Sequence, residues 1–358
     1  MPSFNRLLFV SLGSLLACSS TQPGAMPGTP SNQGATQDTR SHEEATQDTP
    51  SNEEATPDTP SNEGATPDTP SNEKSTEPCT VRTTPARFPS PERIVAMGDF
   101  HGDLAATRRI LQKAGLTDAG DNWIGGRTVF VHVGDVLDRG NDEPEVIELL
   151  AKLREQAASA GGAVHTLHGN HELMNTAGDF RYVTPEGFTD FAHVEARPAL
   201  AAEVARFNER FRGRAAAFLP GGPWAERLAA NDTAIVVGDS VFVHGGLLPA
   251  FAADLPGLNQ RIRCWLTGQG PMPPEVNDPS GPLWSREYSR APEACDALEE
   301  SLSALGAMRM IVGHTPQLAG ITSACQQKVW RIDVGLAAHY GGPSQALEIR
   351  GSEVSVIE

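Results

Sequence analysis

The chain has 358 residues, of which 39% are apolar and 35 are glycine, and its formal net charge is −17 at pH 7. This composition is ordinary for a globular protein and excludes a wholly disordered, collagen-like or membrane-embedded chain. The acidic balance argues against broad nucleic-acid binding, which needs a basic surface, so no nucleic-acid partner is expected.

The first 18 residues have the pattern of an export signal. Arg6 precedes an apolar stretch over 7–16, and the segment 15–18 reads LLAC. A short charged region, a short apolar region and a small residue before the cleavage point are typical of secretory signals. Cys18 at that point resembles a bacterial lipobox cysteine, which implies lipidation. We therefore expect an exported bacterial lipoprotein that contacts the membrane only through its lipid. The alternative is ordinary signal cleavage near Ala17, without lipidation. If Cys18 is lipidated, Ser19 at the next position favours sorting of the lipoprotein to the outer membrane.

Residues 19–78 have the composition of a disordered tether. Five ten-residue units run in register over 26–75, and units such as TQDTPSNEEA and TPDTPSNEGA are rich in Pro, Thr, Asp and Glu. Such a segment has almost nothing apolar to bury, and its acidic charges repel one another. It is predicted to be an extended spacer that holds the globular part, 79–358, away from a membrane.

Four cysteines remain once Cys18 is set aside. In an oxidising compartment they suggest two disulfides, for which three pairings exist. We favour Cys264–Cys295, which would staple the segment between two polar motifs, and Cys79–Cys325, which would fasten the start of the domain to a late strand. No CxxC pair is present, so a zinc–thiolate site is not expected.

From residue 94 onward, short apolar runs alternate with segments of helical spacing. This rhythm predicts an α/β fold with parallel strands. Helices are predicted over 104–114, with Asp103 as the N-cap, and over 143–159. Strands are predicted over 94–97, 128–133, 163–167, 234–237, 241–243, 310–312, 329–332, 346–349 and 354–357.

Five clusters of polar residues follow these strands, and each cluster lies next to a glycine. In parallel sheets, ligands collect beyond the carboxyl ends of the strands. Carboxylate, amide and imidazole ligands together suit Mn, Fe or Zn better than Ca or Mg. Two ions about 3.5–4 Å apart, bridged by one carboxylate, could clamp a phosphoryl group. The polar residues are Asp99, His101, Asp135, Asp138, Asn170, His171, His244 and His314.

The ordered motifs GDFHG, GDVLDRG, GNHE, HGG and GH, within 94–350, resemble the phosphoprotein-phosphatase branch of the calcineurin-like metallophosphoesterases. The segments GPLWSR, VGHTPQ and WRIDVG are similar to those of the Shewanella-like phosphatases. The resemblance implies a sandwich of two mixed β-sheets flanked by helices. It also leaves room for a helical cap in the long insertion over 173–243, whose Ala/Arg-rich part lies near 196–218.

The same resemblance implies a role for each polar residue. Two divalent ions, most simply Mn with Fe or Zn as alternatives, would generate a hydroxide that attacks phosphorus directly. Asp135 would bridge them, and His171, held by Asp138, would be the general acid. The implied ligands are Asp99, His101 and Asp135 for the first ion, and Asp135, Asn170, His244 and His314 for the second; the implied phosphate ligands are Arg139 and Arg286.

The substrate is the least specified part of this prediction. His168 replaces the arginine that Ser/Thr phosphatases of this branch carry before Gly-Asn-His-Glu, and their Ser-Ala-Pro-Asn-Tyr segment is missing. These departures favour phosphotyrosine protein as the substrate. A broad phosphomonoesterase and a dinucleoside polyphosphate hydrolase are the enzyme alternatives. A surface binding lipoprotein that kept the fold is the non-enzyme alternative.

Overall fold

A computed structural model describes residues 79–358. The predicted signal, the lipidated Cys18 and the tether fall in 1–78, outside the described residues. Nine strands were predicted, and all of them are found with ends shifted by at most one residue. The two strands not predicted are short, at two and three residues. The strands are β1 Arg87–Phe88, β2 Ile94–Met97, β3 Val129–His132, β4 Ala163–Thr166, β5 Ala234–Val237, β6 Ser240–Val243, β7 Arg309–Val312, β8 Thr322–Ala324, β9 Val329–Arg331, β10 Ala346–Arg350 and β11 Glu353–Ile357.

Helices connect the strands and cover the outer faces. Both predicted helices are present, and Asp103 caps α1 as expected, since its Oδ1 accepts the Ala106 N–H at 2.8 Å. The helices are α1 Leu104–Lys113, α2 Glu143–Ser159, α3 Asn170–Thr176, α4 Pro185–Phe191, α5 Ala201–Val204, α6 Arg212–Phe218, α7 Pro223–Leu228, α8 Pro249–Ala252, α9 Leu255–Leu266 and α10 Cys295–Leu305. The insertion over 173–243 contributes the short helices α4 to α7 between α3 and β5.

Two mixed sheets form the centre of the fold, as predicted. One has the order β11-β10-β2-β3-β4, in which β2, β3 and β4 are parallel and β10 and β11 are antiparallel additions. The other has the order β1-β5-β6-β7-β9-β8, in which β6, β7 and β9 are parallel. The carboxyl ends of the parallel strands therefore lie at one edge of each sheet.

The strands are apolar throughout because both of their faces are covered. On β2, Ile94 and Ala96 pack in the cluster shared with the second sheet, whereas Val95 and Met97 pack with residues of α1 and α2. The second sheet does the same, since Phe242 and Ile311 face the shared cluster and Val243 and Met310 pack with residues of α8 to α10. Burial of these alternating faces fixes the strand registers, and thus the residues that follow each strand.

The predicted disulfide pairing was wrong, although the number of disulfides was right. The pairs are Cys79–Cys264 and Cys295–Cys325, with Cα–Cα distances of 5.8 and 5.4 Å. The first pair forms because the segment that begins at Cys79 runs along α9, where the Gln260 side chain donates to the Val81 carbonyl at 2.9 Å. Cys295, at the start of α10, instead faces the β8–β9 turn that carries Cys325. Sequence spacing contains neither of these long-range contacts.

Within residues 79–358, none of the helices combines the length and the apolar character needed to cross a bilayer.

Candidate active site

The carboxyl ends of strands from both sheets converge on one buried cluster. Strand β2 leads to Asp99 and His101, β3 leads to Asp135, and β4 leads through Gly169 to Asn170 at the start of α3. From the other sheet, β6 is followed by His244 and β7 by His314. The structure brings these side chains together in one place. All eight predicted residues are at most 6% exposed: Asp99, His101, Asp135, Asp138, Asn170, His171, His244 and His314.

Asp135 lies at the centre of the cluster. Its Oδ2 is 3.3 Å from His244 Nε2, 3.9 Å from His101 Nε2 and 3.8 Å from His171 Nε2. Two groups of potential metal-binding side chains share it, one with His101 and His171, the other with His244 and His314. One carboxylate is thus shared by both groups of potential ligands.

Two of the histidines are oriented as metal ligands usually are. His101 Nδ1 lies 3.0 Å from the Leu137 carbonyl, and His244 Nδ1 lies 3.0 Å from the Val133 carbonyl. A ring that donates Nδ1–H to a backbone carbonyl presents an unprotonated Nε2 that can bind a metal ion. Histidines that bind metals commonly make such a hydrogen bond through their other ring nitrogen. Burial and the neighbouring His171 lower the pKa of His101 to about 4, so this ring is held neutral.

The remaining ligand candidates complete this arrangement. Asp99 Oδ2 lies 4.0 Å from His101 Nε2, and Asn170 Oδ1 lies 2.9 Å from His244 Nε2. Among the described residues, buried His314 Nε2 has no hydrogen-bond partner. A buried ring nitrogen without a partner is costly unless a ligand satisfies it. The donor set therefore fits divalent cations.

The carboxylates of the cluster also form an environment that favours a bound cation. Burial, together with the charges of Asp333 and Asp135, raises the pKa of Asp99 well above its ordinary value. Burial likewise raises the pKa of Asp333 to about 6. Asp333, which follows β9, was not assigned a role from the sequence, although it stands in the quoted WRIDVG segment. Bound cations would relieve the repulsion among these carboxylates.

Backbone strain is concentrated at this site. Non-glycine residues rarely adopt positive φ, and such outliers cost about 1–3 kcal/mol each and gather at active sites. Nine non-glycine residues of 79–358 have positive φ, and five of them are predicted site residues. The five, with φ between 46° and 69°, are His101, Asp135, Asp138, Arg139 and His314.

Glu172, the last residue of GNHE, holds the loop that carries Asp135. Its two carboxylate oxygens accept the backbone N–H groups of Asp135 (2.9 Å), Val136 (2.8 Å), Leu137 (3.0 Å) and Gly169 (2.7 Å). No metal-binding role follows from this, since both oxygens are already bonded. The sequence contained the signal, because the glutamate belongs to the motif, but its partners are set by the loop conformation.

His171 and Asp138 form a buried pair. Asp138 Oδ2 lies 2.6 Å from His171 Nδ1, which leaves Nε2 directed toward the cluster. Burial alone would disfavour the charged ring, but the charges of Asp135 and Asp138 and the Asp138 hydrogen bond raise the pKa of His171 to about 9. A protonated His171 would present its Nε2–H to the cluster, because Nδ1 is bonded to Asp138.

Arg139 lies at the rim of the cluster, in a cleft of about 280 Å³ that His101 also lines. Its guanidinium stacks on the Tyr182 ring at 4.0 Å, and within the described part of the chain its buried Nε has no hydrogen-bond partner. Arg286 is half-buried near the cluster, and its Nη1 donates to the His314 carbonyl at 3.0 Å. Both predicted arginines thus lie beside the site. Stacking on Tyr182 orients the guanidinium of Arg139, and the hydrogen bond to the His314 carbonyl orients that of Arg286.

The insertion reaches the site in two places that the sequence did not reveal. Tyr182 packs against His171 with ring centroids 5.1 Å apart, and Arg214 of α6 donates to Asp138 Oδ1 at 3.2 Å. Tyr182 stands in the segment GDFRYV, a few residues after GNHE, but no role was predicted for it. Arg214 is distinguished in the sequence only as an arginine within an alanine-rich helix.

His168 does not contribute in the way that the sequence suggested. Its ring nitrogens lie 2.9 Å from the Leu228 carbonyl and 3.2 Å from Thr233 Oγ1. The side chain therefore supports the packing of α7 and β5, and its presence gives no reason to expect phosphotyrosine preference.

Comparison with known proteins agrees with this geometry. The calcineurin-like phosphoesterase family model matches residues 92–318. Shewanella-like protein phosphatase 2 of Arabidopsis thaliana is 42% identical over 299 residues, covering 74% of this chain and 76% of the relative. Shewanella-like protein phosphatase 1 of Plasmodium berghei is 31% identical over 268 residues, covering 70% and 69%. The cold-active protein-tyrosine phosphatase of a psychrophilic Shewanella species superposes with a TM-score of 0.59 at 22% identity, covering 77% of this chain and 83% of that one.

The fold and the cluster of carboxylates and histidines define a metal-dependent phosphoesterase. The chain belongs to the calcineurin-like phosphoesterase family, and within it to the Shewanella-like protein phosphatases. It is therefore a phosphatase that acts on phosphorylated substrates with divalent metal ions, and the non-enzyme alternative is set aside.

Proposed function

We propose that the protein is a dinuclear phosphatase that hydrolyses phosphomonoesters, with phosphotyrosine in proteins as its preferred substrate. The observation that carries the proposal is the position of Asp135 Oδ2, which lies within 4 Å of ring nitrogens from both potential metal groups. A carboxylate shared in this way is the geometry that a bridged ion pair requires.

Seven ligand positions would be divided between the two ions. Asp99, His101 and Asp135 would hold the first, and Asp135, Asn170, His244 and His314 would hold the second. When bound, the ions would supply Lewis-acid stabilisation of the phosphoryl oxygens and activation of water. The mixture of oxygen and imidazole donors suits Mn, with Fe or Zn as alternatives.

The protein's own residues bind the phosphate and supply the proton. Arg139 and Arg286 would contact the phosphate oxygens, for which the planar guanidinium is suited. Within residues 79–358, the buried Nε of Arg139 has no hydrogen-bond partner, and stacking on the Tyr182 ring holds the plane of the guanidinium. His171 would protonate the leaving oxygen from Nε2, while Asp138 fixes Nδ1 and the ring orientation.

A direct displacement by water fits the described residues better than a cysteinyl-phosphate intermediate. The cysteines of 79–358 are all in disulfides, so none is available as the thiolate that cysteine-dependent phosphatases need. We therefore expect no cysteinyl phosphate during turnover.

The aromatic side chains around the histidines favour an aryl phosphate. The Tyr182 ring lies 5.1 Å from that of His171, and the Tyr340 ring lies 5.3 Å from that of His101. A phosphotyrosine ring entering beside them would gain aromatic contacts worth about 0.5–1.5 kcal/mol, which a phosphoserine side chain cannot make. The protein-tyrosine phosphatase of Shewanella shows that this fold can serve such a substrate.

Matched phosphopeptides test the substrate preference. With Mn²⁺ present, kcat/KM for the phosphotyrosine peptide should exceed that for the phosphoserine and phosphothreonine peptides by more than about tenfold, or 1.4 kcal/mol. Tyr182→Leu should reduce this ratio, whereas Tyr182→Phe, which keeps the ring, should preserve it. Comparable rates on all three peptides would indicate a broad phosphomonoesterase, and a much faster rate on diadenosine tetraphosphate would favour polyphosphate hydrolysis.

We also propose that the phosphatase is exported and anchored by a lipid on Cys18, at the outer membrane. The two disulfides within 79–358 support export, because such bonds persist in oxidising compartments. Cys18→Ser should release the protein from the membrane fraction or leave an uncleaved precursor, as judged by fractionation and the mass of the mature chain. Unchanged processing and membrane attachment would show that Cys18 is not lipidated.

A further inference from the structure

Arg214 is the largest side chain of the described residues that is completely buried. It lies on α6 of the insertion, and its guanidinium makes five hydrogen bonds, which use all of its donor groups. The contacts are Nε to Asn175 Oδ1 (2.7 Å), Nη1 to Glu143 Oε2 (2.5 Å) and to the Gly187 carbonyl (2.8 Å), and Nη2 to Asp138 Oδ1 (3.2 Å) and to Glu143 Oε1 (3.0 Å).

We propose that Arg214 is a positioning residue of the phosphatase reaction, which acts through Asp138 on His171. The proposal rests on the proposed role of His171 as the proton donor to the leaving oxygen. Arg214 itself contacts neither the potential metal ligands nor the cleft that Arg139 lines.

The first step of the argument is the division of labour between the two oxygens of Asp138. Oδ2 faces His171 Nδ1 at 2.6 Å, whereas Oδ1 accepts from Asn175 Nδ2 at 3.0 Å and from Arg214 Nη2 at 3.2 Å. Because Oδ1 is held from the insertion side, the carboxylate cannot rotate without losing both contacts. The orientation of the His171 ring depends on that of the carboxylate.

Arg214 also sets the orientation of Asn175. The Asn175 oxygen accepts from Arg214 Nε, so its amino group must face the opposite way, toward Asp138. In the reverse orientation, the Asn175 amino group would face the Arg214 N–H, which is also a donor. The Asn175 oxygen would face the Asp138 carboxylate, which is also an acceptor. The arginine therefore selects the amide orientation in which Asn175 supports Asp138.

A third contact runs through the backbone. Glu143 accepts the Asp138 N–H at 2.5 Å, and the same carboxylate is bound by both terminal nitrogens of Arg214. Asp138 adopts a φ of +67°, a strained conformation that its surroundings must maintain. Arg214 thus connects the insertion to the backbone and to the side chain of Asp138.

The charges give a reason for an arginine at this position. Asp138 and Glu143 are both fully buried, and Arg214 is the cation that contacts both of them. A buried ion network is seldom worth more in stability than apolar side chains of the same volume, but loss of one partner leaves an uncompensated charge. A geometric role for the network explains why charged side chains occupy these buried positions.

The experiment compares two leaving groups in the full-length protein with Mn²⁺ bound. Arg214→Met should lower kcat on phenyl phosphate by about tenfold or more, and by less on p-nitrophenyl phosphate, whose leaving group needs little protonation. Metal content should remain that of the wild type. Arg214→Lys, which keeps the charge but not the planar fork, should give an intermediate loss with the same preference.

A double-variant cycle separates positioning from general stability. In the His171→Ala background, Arg214→Met should cause almost no further loss of kcat, because the residue acts through the histidine. If Arg214→Met does not fold, the same cycle is run with two other variants. One is Arg214→Lys, and the other is the double variant Arg214→Met/Glu143→Gln, which removes the charges of both Arg214 and Glu143. Folding is checked by circular dichroism.

Arg263 provides a matched control. It is also a buried arginine, bonded to Asp232 at 2.6 Å and to the Ala229 carbonyl at 2.9 Å, but it has no contact with Asp138 or His171. Arg263→Met should lower stability without changing the ratio of rates on the two substrates. Equal losses on both substrates for Arg214→Met, or losses additive with His171→Ala, would overturn the proposal.

The outcomes also separate this proposal from the proposed function. If His171→Ala itself affects both substrates equally, the acid role of His171 is wrong. If His171→Ala depends on the leaving group and the Arg214 variants do not, only the positioning role of Arg214 is wrong.

Discussion

Asp135→Asn is expected to lose bound metal and nearly all phosphatase activity, by about 10³-fold or more. The side chain is 2% exposed, and its Oδ2 is within 4 Å of three imidazole nitrogens. The change keeps the shape of the side chain but removes the negative charge that would serve both ions. The measurement is metal content of the purified protein together with turnover of p-nitrophenyl phosphate in the presence of Mn²⁺.

A second aspartate makes the control for this variant. Like Asp135, Asp121 has a positive φ, of 58°. It lies outside the site, and its Oδ2 forms an ion pair with Arg108 Nη2 at 2.7 Å. Asp121→Asn should keep the metal content and activity of the wild type. An Asp135→Asn protein with full metal content and activity within about threefold of wild type would contradict the bridging assignment.

The electrostatics explain why Asp135 should be more sensitive to substitution than the other carboxylates of the site. Burial opposes ionisation, but the neighbouring imidazoles of His244 and His171 hold the pKa of Asp135 well below its ordinary value. In contrast, the pKa of Asp99 is raised by burial and by Asp333 and Asp135. Asp135 is thus the carboxylate that the surrounding residues keep charged, and Asp99 is the one that most needs a cation.

The strands and the metal-binding cluster could be predicted from the sequence because both depend on local patterns. Short apolar runs define β2, β3, β4, β6 and β7, and the residues that follow them are brought together by the geometry of parallel strands. The direction in which Asp99, Asp135 and His244 point is then set by the strand ends. No contact between distant loops had to be known.

The remaining features depend on contacts that spacing does not determine. The disulfides follow from the course of the segment after Cys79 along α9 and from the place of the β8–β9 turn beside α10. Tyr182 and Arg214 reach the site because the insertion folds back onto it, through helices of four to seven residues whose arrangement no periodic pattern specifies. His168 shows the reverse case, in which a substitution within a motif serves packing.

His171→Ala should retain the metal ions yet slow turnover in a way that depends on the leaving group. General acid catalysis is typically worth about 10²–10⁴ in rate, so a loss of this size is expected for phenyl phosphate. A smaller loss is expected for p-nitrophenyl phosphate, because its leaving group departs without a proton. The proton would come from Nε2, since Nδ1 is bonded to Asp138 at 2.6 Å.

Metal content decides between two roles that the geometry of His171 allows. Its Nε2 is 3.8 Å from Asp135 Oδ2, close enough for the ring to be grouped with His101 and Asp135 as a potential ligand. A ligand would take metal with it when removed, whereas a general acid would not. Replacement of the exposed His193 by alanine controls for the loss of an imidazole elsewhere and should change neither metal content nor rate. Loss of one ion from His171→Ala, with equal losses on both substrates, would make His171 a ligand and leave the leaving oxygen without an assigned proton donor.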